Sequence, residues 1–547
     1  MKKLFAMLLC LIMVISLFAG CNNTTTTDDN NGGSADNGDQ VVLEIGVLGN
    51  ANVISFTDNA YTKWLEEQTG YKLKFYEFPA TSADAKSVLS TMVVDQKMPD
   101  IVWNVSLAEG VISDYGEDGY FIDLKPYFDD KEGASKIFWE RFALLSEEEQ
   151  ESNLRRITDP ESGAIYSVPR IEQSLIDPMK YQVWINQSWL DELNLEAPTD
   201  PDSLYNVLKA FKDAKGDSII PMIGLEGGLG SSVTNWIINM FTYCNGDRVW
   251  NADANGKLYL PHTTDEYREA LIFINKLVKE GLLSPMTWTA KAAELKSITA
   301  QNPSMVGVFV GHLTLHVTQE AETLYDYVPL NCFGNAILSE NLNSRATYIT
   351  ADCEAKGLAD EAFNLLMVMT SKEGSMRMRY GEYGVNWTDA DAGTKSFLGL
   401  DAEIKILKDP WATQQQATWG SINSTILINA EGEVNQIDET TMTEWQLYKN
   451  KIVAEQMTNF YAANENNDKI APISALVYTE EEDEYINQIR SDCSGVLSKA
   501  RSEFCNGVQD PTDDAAWEAY VKQLETLGID KWMELAQTIY DRQNTAS

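Results

Sequence analysis

An α/β fold, with sheets flanked by helices and a helical C-terminal region, is predicted by three stretches of this 547-residue chain. The first is VVLEIGVLG at 41–49, which reads as a buried strand ending in glycine and opens a strand–helix–strand–helix rhythm. That rhythm is the signature of a parallel sheet covered by helices. The second is KYQVWINQSWLDELNLEAPTDPDSLYNVLKAF at 180–211, a strand followed by two punctuated helices. The third is the region 390–547, which reads as helical.

Taken in order, the opening strand is followed by a helix near Tyr61–Gly70, a strand YKLKFYEF at 71–78 and a helix Ala83–Gln96. Met98-Pro99-Asp100-Ile101-Val102-Trp103 then supplies the next strand, and Asp100 to Asn104 is placed at its carboxyl end, where ligands of open α/β sheets sit. Lys131 to Arg156 reads as an inserted helical region, and Ala164–Val168 as a strand before Pro169. Tyr181 to Ile185 is a β-branched and aromatic run that Asn186-Gln187-Ser188 stops. Ser188 is placed to cap a short helix, and Asn194 suits its left-handed exit. Thr199 begins a second helix with Pro201 in its first turn and Asp202 reaching back to the free amides. Leu204, Val207, Leu208 and Phe211 give that helix one apolar face. Tyr267–Glu280 is an amphipathic helix ended by Gly281, and MVGVFVG at 305–311 is a buried strand. ATYITA at 346–351 and the helix Ala359–Met369 follow.

The charge balance is 82 acidic against 42 basic residues, a net of −40. Such a field repels phosphate backbones and anionic lipid, so neither nucleic acid nor a charge-driven membrane partner is expected. A strongly acidic surface is first a solubility feature and identifies no cationic ligand.

The N-terminus reads as a targeting segment. Lys2 and Lys3 precede an apolar run from Leu4 to Gly20, and LFAGC resembles the bacterial lipobox, with Phe18 where leucine is usual. Residues 1–20 are therefore expected to be a lipoprotein signal peptide and Cys21 the lipid-attachment residue. From Asn22 to Gln40 the chain is NNTTTTDDNNGGSADNGDQ, without a large apolar side chain, so 21–40 is expected to be a disordered tether. A linker of this length spans roughly 25 Å root mean square. Cys244, Cys332, Cys353, Cys493 and Cys505 remain, an odd number, so at least one stays unpaired. One helix through 493–505 would hold its two cysteines too far apart to bridge.

The strand–helix–turn–helix unit at 181–211 resembles the family 1 extracellular solute-binding proteins of ABC importers, above all their large lipoprotein branch of oligosaccharide binders. MPDIVW resembles the family's Pro-Asp-hydrophobic motif, and Tyr166 to Pro169 its Tyr-x-x-Pro crossover. EYREALIFINKLVKEGLLSP resembles the helix before its Gly-Leu-Ile turn, and TSKEGSMRMRYGEYGVNW its Gly-Val-aromatic turn. The segment 502–542 matches the branch's ending, with a Glu-Phe-x-x-Gly turn and a Tyr-Asp-Arg terminus. The resemblance implies a two-lobed, periplasmic-binding-protein-like fold, with 41–178 plus 346–389 as lobe 1 and 179–345 plus 390–547 as lobe 2. It also implies a monomeric, lipid-anchored receptor on the outer face of the cytoplasmic membrane. Such a receptor closes on an oligosaccharide and delivers it to ABC permease subunits.

Little in the chain points to catalysis. Only His262, His312 and His316 exist, and no GxSxG, Walker or dinucleotide motif is present. His312 and His316 are spaced i, i+4, as zinc ligands on a helix would be, but two ligands do not complete a site and no metal or other cofactor is expected. Asn251 to Gly256 imitates the start of a calcium loop, but position twelve is His262 and a hairpin turn is the simpler reading. Many members of the family carry a calcium loop after the helix that ends here at Phe211; this chain has only KDAKGDSIIP there, so that site is not carried over. A surface glycoside hydrolase using a carboxylate pair is the alternative reading.

The 14 Trp and 23 Tyr are the better functional clue, because sugar rings stack their C–H faces on flat side chains while their hydroxyls bond polar groups. Trp103, Trp236, Trp387 and Trp419 stand in polar or glycine-rich settings and are expected at the ligand, with Asn104, His312 and Tyr383 beside them. Tyr166, Arg170 and Glu172 at the crossover would add hydrogen bonds. Trp189, Trp517 and Trp532 lie on helix patterns and are expected to be structural.

Overall fold

The computed structural model describes residues 40–173, 182–226, 232–244, 249–312, 325–330, 344–408, 414–428, 431, 436, 444–464, 473 and 476–545. From Val41 onward they form one compact unit. Cys21, tether residues 22–39, His316 and Cys332 lie outside the described residues.

In chain order the strands are β1 (Val42–Leu48), β2 (Lys72–Phe78), β3 (Ile101–Trp103), β4 (Pro169–Glu172), β5 (Val183–Asn186), β6 (Ile220–Ile223), β7 (Asn251–Ala252), β8 (Leu258–Tyr259), β9 (Val306–Val310), β10 (Tyr327–Pro329), β11 (Ser344–Arg345), β12 (Thr347–Ile349), β13 (Trp387–Asp389), β14 (Ile404–Ile406) and β15 (Ile426–Leu427). The first sheet has the order β12-β3-β1-β2. Its central strand β1 runs parallel to both neighbours, with Ile45 opposite Phe75 and Ile101, while β12 is antiparallel at the edge. The second sheet has the order β10-β5-β9-β6, with β6 and β9 parallel and β5 antiparallel to β9 and β10. A third sheet, β11-β4-β15, is built from the three segments that pass between the residues of the first two.

Local chemistry accounts for the helix ends. Asn186, not Ser188, caps the helix Gln187–Leu193, because its side chain accepts from Trp189 N while Ser188 Oγ donates back to it at 2.8 Å. Asp200 caps the helix Pro201–Lys215 through a reciprocal pair with Ser203, so the capping role expected of Thr199 and Asp202 falls between them. Asn194 takes the left-handed exit as its sequence setting predicts, and Leu204, Val207, Leu208 and Phe211 are buried along one helix face. The strand expected at 164–168 begins instead at Pro169, which suits the first position of a strand because proline has no amide to donate.

Each large sheet has its own core. Leu43, Ile45, Val47, Trp64, Leu65, Ile101 and Phe363 pack on the first. On the second, Leu204, Phe211, Trp236 and Ile274 pack together with Phe504, Trp517, Leu524 and Trp532 from the C-terminal helices. Trp189, Trp517 and Trp532 are buried, as helix patterns require. The Tyr-Asp-Arg terminus anchors the end of the chain. Its Arg542 pairs with Glu482 through both guanidinium nitrogens, at 2.8 and 3.0 Å, and donates to Val477 O at 3.0 Å, which ties the last helix to the start of Glu480–Asn506. That helix carries both Cys493 and Cys505, which are free and buried. One boundary differs from the sequence partition. Trp419, Ile426 and Ile428 belong to the first sheet's core, because Trp419 fills a gap between aromatic rings there, so part of 390–547 packs with the first half.

Candidate ligand site at the strand ends

β1 and β3 are parallel neighbours, so their carboxyl ends deliver Gly49-Asn50 and Asn104 to one edge of the first sheet. Asn50 Nδ2 donates to Gly420 O at 2.7 Å, and Asn104 Nδ2 donates to Ser421 Oγ at 2.6 Å. The loop that carries Gly420 and Ser421 thus lies between two amides. Gly420 has a φ of 68°, and a Cβ there would stand 2.6 Å from Asn50 Nδ2 and from Val53 Cγ2, so only glycine fits. Asn104 itself holds a φ of 62°, a left-handed conformation that asparagine tolerates better than most residues and that recurs at ligand sites. Beneath the loop the Trp419 ring meets Trp103 edge-on at 5.1 Å. Asn423 and Ser424 both donate to Thr347 Oγ1 at 2.8 Å, which fixes the far end of the loop to β12. The result is a rigid ledge of amide and hydroxyl groups over an aromatic floor.

On the second sheet the parallel strands β6 and β9 end at Gly224-Leu225-Glu226 and Gly311-His312. Trp184 Nε1 donates to Gly311 O at 2.9 Å. Glu226 accepts from the amide of Thr234 at 3.1 Å and from its hydroxyl, and Arg501 lies 3.9 Å away. Burial pushes the Glu226 carboxyl above its ordinary value, against the pull of Arg501 and the Thr234 bonds.

The expected site residues divide by position. Trp103, Trp236 and Trp419 are at most 1% exposed and fill the cores, so each has a packing role. Trp387 is buried with Tyr380 and Ile404, while Tyr383 is 42% exposed, crosses the Trp387 ring at 5.0 Å and donates to Asp389 at 2.9 Å. Tyr166 is buried against the helix Glu109–Glu117, where a Cβ on Gly116 would overlap its ring at 2.4 Å. Arg170 and Glu172 pair with one another, and Arg379 joins Glu172 at 2.7 Å, so this pair faces an ion cluster on β4. Asn104 stands at a strand end, and His312 follows Gly311 there, half-buried. Asp100 is 1% exposed at the amino start of β3, not its carboxyl end, where it accepts from Glu44 N and pairs with Lys356, both at 2.7 Å. Asn50, Gly420 and Ser421 are not among the residues the sequence predicts; the Gly-Asn pair after β1 is the one local signal that points to them.

The remaining chemistry is structural. Asp253 accepts from Asn255 N at 2.8 Å and Lys257 N at 2.9 Å and makes the β7–β8 hairpin turn. Only Gly216 to Ile219 separate the helix Pro201–Lys215 from β6, too few for a calcium loop of about twelve residues. Among the described residues no group of three or more His, Cys, Asp or Glu is arranged to hold a metal ion. His262 is buried with Nε2 3.6 Å from Cys244 Sγ, and burial, with the Arg501 charge, pushes its imidazole from 6.5 down to about 3. The unfolded chain therefore takes up this proton first as pH falls, so stability is lost from about pH 6.5 downward and the loss continues toward pH 3. Between pH 6.5 and about pH 5 the expected loss is about 2 kcal/mol. Denaturant titrations at both pH values check it, and a His262→Phe variant should lose that part of the slope.

No protein-family model matches the chain. The fructooligosaccharide ABC transporter substrate-binding protein FusA of Streptococcus pneumoniae serotype 4 is 23% identical over 503 residues, covering 87% of this chain and 86% of the relative. Lipoprotein LipO of Bacillus subtilis is 27% identical over 228 residues, 41% of each chain. A solved structure of S. pneumoniae FusA in complex with kestose superposes with a TM-score of 0.72 at 18% identity, covering 92% of this chain and 100% of that one. In fold, and along almost its whole length, this chain is similar to the substrate-binding proteins of ABC transporters, as its crossover and closing motifs imply.

Proposed function

We propose that this chain is the lipid-anchored substrate-binding protein of an ABC importer, which captures a neutral oligosaccharide between its two large sheets. The observation that carries the reading is the pair of open sheets joined through the β11-β4-β15 crossover sheet, with the uncharged ledge of Asn50, Asn104 and Ser421 at one set of strand ends. Amides and hydroxyls exchange hydrogen bonds with sugar hydroxyls without the desolvation cost of a charge. Tyr383 and His312 are the further ligand candidates, and Trp387 supports Tyr383 from behind. Closure is driven by ligand that binds the closed arrangement better than the open one. The oligosaccharide-binding relatives of similar length support this reading. Residues 1–20 serve as the signal, Cys21 carries the lipid, and the tether presents the body on the outer face of the cytoplasmic membrane to permease subunits.

Calorimetric titration with a panel of neutral oligosaccharides, with chromatography of the mixture afterwards, tests this. Stoichiometric binding without products is expected; turnover of the sugar would replace the receptor reading with a glycoside hydrolase. Asn104→Gly keeps the left-handed backbone while deleting the amide, so it should weaken the bound sugar about 3- to 10-fold, the worth of one hydrogen bond. Its thermal midpoint should stay near that of the native chain, which separates recognition from folding.

A further inference from the structure

The helix Lys372–Tyr380 places Lys372, Ser375 and Arg379 at i, i+3 and i+7, on one face. Each of the three reaches a crossover strand or the residues just beyond it. Arg379 Nη1 lies 2.7 Å from Glu172 Oε1 at the end of β4. Ser375 Oγ accepts from the amide of Ile426, the first residue of β15, at 3.0 Å. Lys372 Nζ lies 3.5 Å from Glu431 Oε1, just past β15. The two strands they hold run parallel and paired, Ile171 opposite Ile426 and Glu172 opposite Leu427. Glu172 and Glu431 are both nearly buried, with side chains 4% and 5% exposed, so their charges depend on these cations and on Arg170 and Arg141. Met376, on the adjoining face, packs with Leu427.

We propose that this helix is a clamp that makes the β4–β15 pair a fixed part of the first half, with Lys372, Ser375 and Arg379 as positioning residues for closure. The proposal rests on the reading that the protein closes on a ligand. A buried carboxylate held by two cations strongly resists displacement, because separating the charges exposes each to a poorly solvating interior. Two such carboxylates, Glu172 at the end of β4 and Glu431 just past β15, leave the strand pair no independent movement. The pairing of the two strands is therefore kept in both open and closed states, and rotation is taken up elsewhere.

Amide hydrogen exchange on the full chain, with and without saturating kestose, tests the clamp. In the native protein the amides of Ile171, Gln173 and Ile426 should be protected to the same degree in both conditions. In Arg379→Gln, where Arg170 still neutralises Glu172 and folding is retained, their exchange should accelerate about tenfold or more, and kestose should bind about 5-fold more weakly or worse. Arg379→Lys should restore most of both. Ser375→Ala, which removes one acceptor and no charge, should accelerate Ile426 alone. Native exchange rates in Arg379→Gln would overturn the clamp, as would a large ligand-induced change at these amides in the native protein. If the native chain fails to bind any sugar of the panel, the receptor reading fails, but the ligand-free exchange rates still decide the clamp.

Discussion

Truncating Trp419 to alanine is expected to lower the free energy of unfolding by about 3–5 kcal/mol, measured by urea titration of the full chain. The side chain is 1% exposed, and its ring stands edge-on to Tyr61, Phe75 and Trp103 at 5.4, 5.3 and 5.1 Å. Its Nε1 donates to Thr62 Oγ1 at 2.9 Å, so the indole is satisfied at its polar end as well. Alanine would leave a void among rings that are themselves anchored in the first sheet, and void volume that cannot collapse is what makes such truncations costly. Trp419→Phe keeps one aromatic ring but leaves part of the indole volume empty and forfeits the donor, so a smaller loss of about 1–2 kcal/mol is expected. A tryptophan serving ligand alone would leave the unfolding midpoint unchanged, which makes the pair of variants decisive about its role.

The second large effect belongs to Arg141. Its guanidinium engages both oxygens of Glu431, with Nη1 at 3.1 Å from Oε1, and donates from Nη2 to Ile426 O at 2.9 Å. Both residues are nearly buried, and Glu431 also accepts from Ile428 N at 3.1 Å. Among the described residues Arg141→Met leaves the buried carboxylate with only Lys372 at 3.5 Å to neutralise it, and about 3–5 kcal/mol of stability should be lost. Adding Glu431→Gln removes the orphaned charge and should return most of that loss. The difference between single and double variants measures the coupling, and purely additive losses would mean that the two side chains do not act as a pair.

Much of the fold is written in local signals. The alternation from Val41 to Trp103 gives parallel strands and covering helices, since both periodicities belong to a few neighbouring residues. The apolar face of the helix Pro201–Lys215 and the left-handed exits at Asn194 and Gly70 follow in the same way. Cap choice is decided by a single hydrogen bond, which is why Asn186 and Asp200 displace the neighbours that composition favours equally. The site is less legible. A tryptophan beside glycine or asparagine looks the same in sequence whether it floors a loop or faces solvent, and Trp103 and Trp419 turn out to pack on each other across more than 300 residues. Gly420 and Ser421 are likewise joined to the strand ends only by tertiary contacts, through Asn50 and Asn104. The crossover residues Arg170 and Glu172 were legible as special, but their partner Arg379 lies 207 positions from Glu172 and no local pattern pairs them.

The proposed receptor role requires closure on a sugar, and small-angle scattering tests that requirement most directly. Adding stoichiometric amounts of a binding oligosaccharide from a neutral panel should shrink the radius of gyration, with the change saturating at one ligand per chain. A radius that stays constant at full occupancy would contradict a receptor that works by closing.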